Sequence, residues 1–194
     1  MSMYTTKNIV CEGIPSLREK SAEVKLPISN EDKQVLIDML GYLINSQNPE
    51  KAKELNLRPG VGLASPQIGV NKKMFAIYTE DLEGVLNVLL VVNPKIIKKS
   101  KQITFLPGGE GCLSVNRETT GITPRHKEIT ADCYLFNLKT QKLEHKIITL
   151  KDYVAIVFQH EYDHLFGTLF VDTIMPKEKA LSLGYKPLWD EEEN

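Results

Sequence analysis

The stretch DYVAIVFQHEYDHLFG (152–167) decides how the chain folds. Asp152 reads as a helix cap, 153–166 as the helix, and Gly167 as its stop. The run VAIVF (154–158) puts apolar side chains on every side of that helix, which predicts a helix in the core rather than on the surface. Within it stands HEYDH, an H-E-x-x-H pattern. Residues four apart on a helix lie about 40° apart around its axis, so His160 and His164 can face one ion. Glu161 sits beside the first of them, where a carboxylate can take a proton from water held by that ion. Left unpaired in a core, two imidazoles and a carboxylate would be costly, which argues for a metal site over scattered surface histidines.

The segments before this helix read as strands. MFAIYT (74–79), VLNVLLVVNP (85–94) and QITFL (102–106) are short, β-branched runs parted by Gly, Pro or charged turns. In 129–136, Ile129, Ala131, Cys133 and Leu135 alternate with Thr130, Asp132, Tyr134 and Phe136. The polar 139–142 then turns into 143–150, a hairpin. Nearer the start, Ser29 and Asn30 precede Glu31 and Asp32, short acceptors followed by acids, which predicts a helix start. Val35, Leu36, Met39, Leu40 and Leu43 recur at helical spacing; Pro49 opens a second short helix; Pro59–Gly60 breaks into a glycine-rich loop. This order predicts an α+β fold: antiparallel β-sheets packed around a buried C-terminal helix carrying HExxH, with an N-terminal helix outside. The length suits a single domain over 1–194, although the segment after about 176 is the least readable, and the acidic 190–194 is expected to fray.

Composition narrows the function. The 194 residues hold 24 Lys+Arg against 25 Asp+Glu, a net charge of −1 that argues against a dedicated nucleic-acid binder. The basic KIIKKSK (95–101) reads as the solvated edge of a hairpin. No apolar run approaches the ~20 residues needed to cross a bilayer. The opening MSMYTTKNIVCEG lacks the apolar centre of a signal peptide, which predicts a cytoplasmic protein. Three cysteines are too few and too scattered for a disulfide framework.

Two histidines do not complete a catalytic metal site. The metzincin spacing H-E-x-x-H-x-x-G-x-x-H is followed as far as Gly167, but its last position is Phe170. The third ligand therefore comes from elsewhere, among Cys112, Cys133, Cys11, His126, His145 and the carboxylates. Cys133 lies on the apolar face of a predicted strand and reads as a core filler. Cys11 has no ligand type near it. Cys112 stands in GGEGCLS (108–114), where glycines flank Glu110 and let the backbone approach another element. One Cys, two His and an open position is a known catalytic arrangement, and residue chemistry favours Cys112.

GVGLASPQ (60–67), EGCLS (110–114) and HEYDH (160–164), in that order, resemble the three motifs of the peptide deformylases. The resemblance spans about 9–171. The insertion before GVGLASPQ and the Leu106–Pro107 before GGEGCLS resemble the longer subclass typical of many Gram-positive bacteria. One departure is Ser65, where the family's pattern has a second alanine; its hydroxyl is a candidate to alter hydrogen bonding near Gln67.

The resemblance implies that Cys112, His160 and His164 bind one divalent metal, Fe2+ in the cell, with Zn2+, Ni2+ or Co2+ able to take its place. It implies Glu161 as acid and base, and the Gln67 side chain with the Leu113 backbone N–H as donors to the oxyanion. The implied reaction removes the N-formyl group from the initiator methionine of nascent polypeptides and releases formate. Val61, Gly62 and Gly111 are expected to pair with an extended substrate backbone, and Val157 to line a methionine pocket. Asp163 is too close to the ligands to stay unpaired if buried, and Arg125 is its expected partner. Expected partners are N-formyl-methionyl peptides, with the ribosome met through the nascent chain; no membrane and no direct nucleic-acid contact are expected, and the chain is expected to be a monomer. The rival readings are an HExxH peptidase cutting internal bonds and a protein with a closed structural metal, which would need a fourth protein ligand such as Cys133 or His145.

Overall fold

The computed structural model describes residues 4–190, so of the acidic stretch expected to fray only Asp190 lies within it. The fold is mixed α+β. Helices α1 (Asn30–Ser46) and α2 (Pro49–Leu55) precede strands β1 (Gly62–Ala64), β2 (Met74–Glu80), β3 (Leu86–Lys99), β4 (Ile103–Phe105), β5 (Arg125–His126), β6 (Glu128–Asn137) and β7 (Lys142–Lys151). Helix α3 (Asp152–His164), helix α4 (Lys177–Ser182) and strand β8 (Lys186–Pro187) follow. A five-stranded antiparallel sheet runs β1-β2-β3-β6-β7, and a three-stranded sheet runs β5-β4-β8.

Strand β2 explains the layering. Its side chains alternate across the pleat: Met74 and Ala76 join a core with Leu36, Met39 and Leu43 of α1, whereas Phe75 and Ile77 join a core with Ala155, Val157 and Phe158 of α3. All four are fully buried, because the sheet carries apolar residues on both faces here. Helix α1 starts where Ser29 accepts a hydrogen bond from the Asp32 N–H, and α2 opens on Pro49. Gln159 fastens α3 to β5, its amide accepting from the His126 N–H at 3.0 Å and donating to the His126 carbonyl at 2.8 Å.

Three details depart from the sequence reading. The basic 95–99 is not a hairpin edge but the second half of β3, pairing Lys95 with Asp132 and Ile96 with Ala131. Within that strand, as the run 85–94 predicts, Asn93 at φ 49° and Pro94 form an irregularity, and the Asn93 amide grips both the N–H and the carbonyl of Val24. Asp152 does not cap α3; it is the helix's first residue, at φ 51°, preceded by Lys151 with no side-chain cap. The sheets are not wholly antiparallel, since β8 runs parallel to β4, and α3 is followed by α4.

Candidate metal centre and active site

Three elements bring the site together. Helix α3 supplies His160, Glu161 and His164; the loop after β4 supplies Cys112; β1 and the turn after it supply Gly62 and Gln67. The ligand atoms of Cys112, His160 and His164 lie within 4.8 Å of one another, the one such group of potential metal ligands among the described residues. The Cys112 Sγ is 3.4 Å from the His164 Nε2, and the two imidazoles stand edge to face with centroids 5.1 Å apart. A thiol and two imidazoles converging without a fourth protein ligand suit a divalent ion with an open position. The other candidates lie elsewhere. Cys133 is buried in the sheet core, His145 bonds Asp132 at 2.6 Å near the surface, and the His126 Nδ1 is 2.8 Å from the Ser100 carbonyl. Cys11 lies 3.1 Å from the Asn116 amide.

Glu161 is 3% exposed, and its Oε2 has no hydrogen-bond partner among the described residues. Burial pushes its carboxyl up to about 7; the nearby His160 pulls the other way and Glu110 adds to the rise. The carboxylate fits only because the facing residue is Gly62, whose missing side chain leaves room for it.

Glu110, which the sequence reading passed over, is the hub beneath the ligands. Its carboxylate takes two hydrogen bonds from Arg125, at 2.7 and 2.9 Å, and one from the His160 Nδ1, at 2.8 Å. Burial opposes its charge, but the Arg125 bonds and charge, aided by His160, hold it down at about 2. The signal available in the sequence was an acid between two glycines, two residues before the candidate thiol. Arg125 also reaches Asp163, at 2.5 Å, with the aspartate about a third exposed.

Gln67 is buried in the turn after β1. Its Oε1 accepts the Ala64 N–H at 2.8 Å, which leaves its Nε2 donating to the Ser114 hydroxyl at 3.1 Å and facing the Cys112 sulfur at 3.4 Å. Its amide thus anchors the loop with one end and faces the thiol with the other. The Ser65 hydroxyl turns away from it and donates to the Lys72 carbonyl at 2.6 Å. Arg58, unremarked in the sequence, donates to the carbonyls of Leu113 and Cys112 and so steadies the thiol's loop.

These residues open on one cleft. Val61, Gly62, Gly111, Leu113 and Val157 line it together with Cys112, His160 and Glu161. Leu106, Tyr153 and Ile156 extend its wall. Arg125 and Asp163 lie behind the ligands instead, against a different hollow.

A family model described as polypeptide deformylase matches residues 6–180. A peptide deformylase of Halalkalibacterium halodurans is 52% identical over 172 residues, covering 89% of this chain and 92% of its own. Peptide deformylase 2 of Bacillus subtilis is 46% identical over 172 residues, covering 89% of this chain and 91% of its own. A Met-Ala-Ser-bound class I type b peptide deformylase from Acinetobacter baumannii superposes with a TM-score of 0.66 at 28% identity, over 86% of this chain and 96% of that one. A match across 6–180 together with close relatives over nine-tenths of the length leaves one conclusion: the chain belongs to the polypeptide deformylase family.

Proposed function

We propose how the residues of this cleft divide the labour of the family's reaction, hydrolysis of the N-formyl group from the formylmethionine of a nascent polypeptide with release of formate. One observation carries the reading: a thiol and two imidazoles converge beside a carboxylate with an unpartnered oxygen, and Cys112, His160 and Glu161 of this group line one cleft. Cys112, His160 and His164 hold a divalent ion, Fe2+ by preference, with Zn2+, Ni2+ or Co2+ accepted by the same ligands. When bound, that ion supplies Lewis-acid polarisation and brings the pKa of water down towards neutrality.

Glu161 accepts a proton from the attacking water and returns it to the methionine nitrogen as the C–N bond breaks. The water oxygen leaves in formate. A carboxyl poised at about 7 can give and take a proton near neutral pH, a shift that burial chiefly provides here. The Gln67 Nε2–H and the Leu113 N–H meet the developing oxyanion, each such donor stabilising the transition state by about 3–4 kcal/mol. Glu110 fixes the tautomer of His160 through the Nδ1 contact and, through Arg125 and Asp163, ties the Cys112 loop to α3. Val61, Gly62 and Gly111 flank the peptide backbone, and Val157 receives the methionine side chain.

In this reading the chain is one catalytic domain whose sheets wrap α3 to keep the ligands rigid. It acts as a cytoplasmic monomer on chains emerging from the ribosome. The described helices include none long and apolar enough to cross a membrane. The decisive experiment is Glu161→Gln. The variant is expected to retain its metal and lose roughly 10²–10⁴-fold in formate release from formyl-Met-Ala-Ser; unchanged turnover overturns the role.

A further inference from the structure

The segment after α4 reaches back to the cleft. Strand β8 lies parallel to β4, with Lys186 opposite Thr104 and Pro187 opposite Phe105. The Thr104 hydroxyl donates to the Lys186 carbonyl at 2.9 Å, and the Leu188 N–H donates to the Phe105 carbonyl at 2.9 Å. One residue beyond that bond on β4's side is Leu106, which lines the cleft. One residue beyond it on the other side is Trp189, whose ring meets Tyr153 edge to face with centroids 6.2 Å apart. Tyr153 also lines the cleft. Two residues lining the cleft are thus tied to one segment: Tyr153 directly through Trp189, and Leu106 through the bond its chain neighbour Phe105 makes to Leu188.

Along α3, Tyr153, Val157 and His160 succeed one another at offsets of four and three, one face of a helix. Tyr153 stands about 10 Å along the axis from His160. The wall it forms is thus remote from bond breaking yet within reach of a side chain entering past Val157.

We propose that Trp189 is a positioning residue for substrate selection: by packing on Tyr153, with Leu188 bonded beside Leu106, it fixes the end wall of the cleft against which the first side chain of the formyl peptide is measured. This rests on the reading of the cleft as the formyl-peptide site. An edge-to-face pair holds a tyrosine ring in one orientation. Without the indole the ring is free to turn, and the wall loses its shape while the ligands and Glu161 stay where they are.

Trp189 is the chain's single tryptophan, so its emission reports on this contact directly. In the metal-loaded full chain, titration with the product peptide Met-Ala-Ser should change the emission of Trp189 saturably, and Tyr153→Ala should abolish that change. In steady-state assays with formyl-Met-Ala-Ser, Trp189→Ala should raise KM about three- to tenfold, the fold-change that the loss of one aromatic pair carries, with kcat nearly constant. The same variant should narrow the preference for methionine over a bulkier first side chain, and Trp189→Phe should restore both. A thermal melt of each variant separates this from unfolding. Wild-type turnover with an unaltered KM and preference in Trp189→Ala overturns the inference alone, as does a loss confined to kcat. Absence of formate release by the wild type would overturn the reading of the cleft and the inference with it.

Discussion

Gly62 and Glu161 occupy mutually exclusive space: a Cβ atom on Gly62 would stand 2.7 Å from the Glu161 Cδ and 2.8 Å from its Cγ. Strand β1 crosses α3 so closely that the Glu161 carboxylate sits where a side chain would be. Gly62→Ala should therefore push the carboxylate aside. The expected result is a fall in kcat of roughly 10²-fold, the scale of a misplacement of about 1 Å. Metal content should not change. Formate release, measured beside metal analysis, checks it, and wild-type kcat in the variant would refute the steric argument.

Glu110→Ala should strike the metal site and the fold together. It strips the His160 Nδ1 of its acceptor and leaves the buried Arg125 with Asp163 as its remaining carboxylate. Metal affinity should drop about 10–100-fold, read by competition with a chelator. Urea unfolding should show a loss of about 3–5 kcal/mol, the cost of breaking a buried pair from one side.

Gly167 ends the turn after α3 at φ +71°, and a Cβ there would lie 2.5 Å from the carbonyl carbon of Arg18. Both the left-handed backbone and the close approach penalise a side chain. Gly167→Ala should cost about 2–4 kcal/mol and lower Tm by about 4–16 °C in a chain of this size. Calorimetry at one protein concentration measures it directly.

Cys133 should behave as an inert thiol. Burial, with Asp132 adding to it, pushes its pKa up to about 11. A thiol whose folded pKa is raised binds its proton more tightly in the native state, so native stability declines as pH climbs from the unfolded value of about 8.5 towards 11. At pH about 8 the metal-loaded protein should take up alkylating reagent at Cys11 and spare Cys133, which reacts once the chain is unfolded. Mass spectrometry of labelled peptides distinguishes the three thiols.

Much of the candidate site's arrangement could be read in advance because its signals are local. HEYDH declares a helix face, and EGCLS and GVGLASPQ are contiguous runs whose residue types are unusual together. The cap at Ser29, the Pro49 start and the β6–β7 hairpin were equally legible, since each depends on neighbours a few residues away. What escaped depends on distant partners. Glu110 shows its importance only when Arg125 and His160, fifteen and fifty residues away, close around it. The irregularity at Asn93 inside β3 likewise appears only when Val24 arrives to take the asparagine's amide. Strand β8 is two residues long and has no pattern of its own; the pairing with β4 creates it.

The guanidinium shared by Glu110 and Asp163 has a consequence for how the centre is loaded. It welds the sulfur-bearing loop to the imidazole-bearing helix by contacts that involve no metal ion, so the cradle is assembled as soon as the polypeptide has folded. Exchange of one transition ion for another then demands no remodelling of the scaffold, and an enzyme stripped of its ion should regain function on simple replenishment, without passing through denaturation.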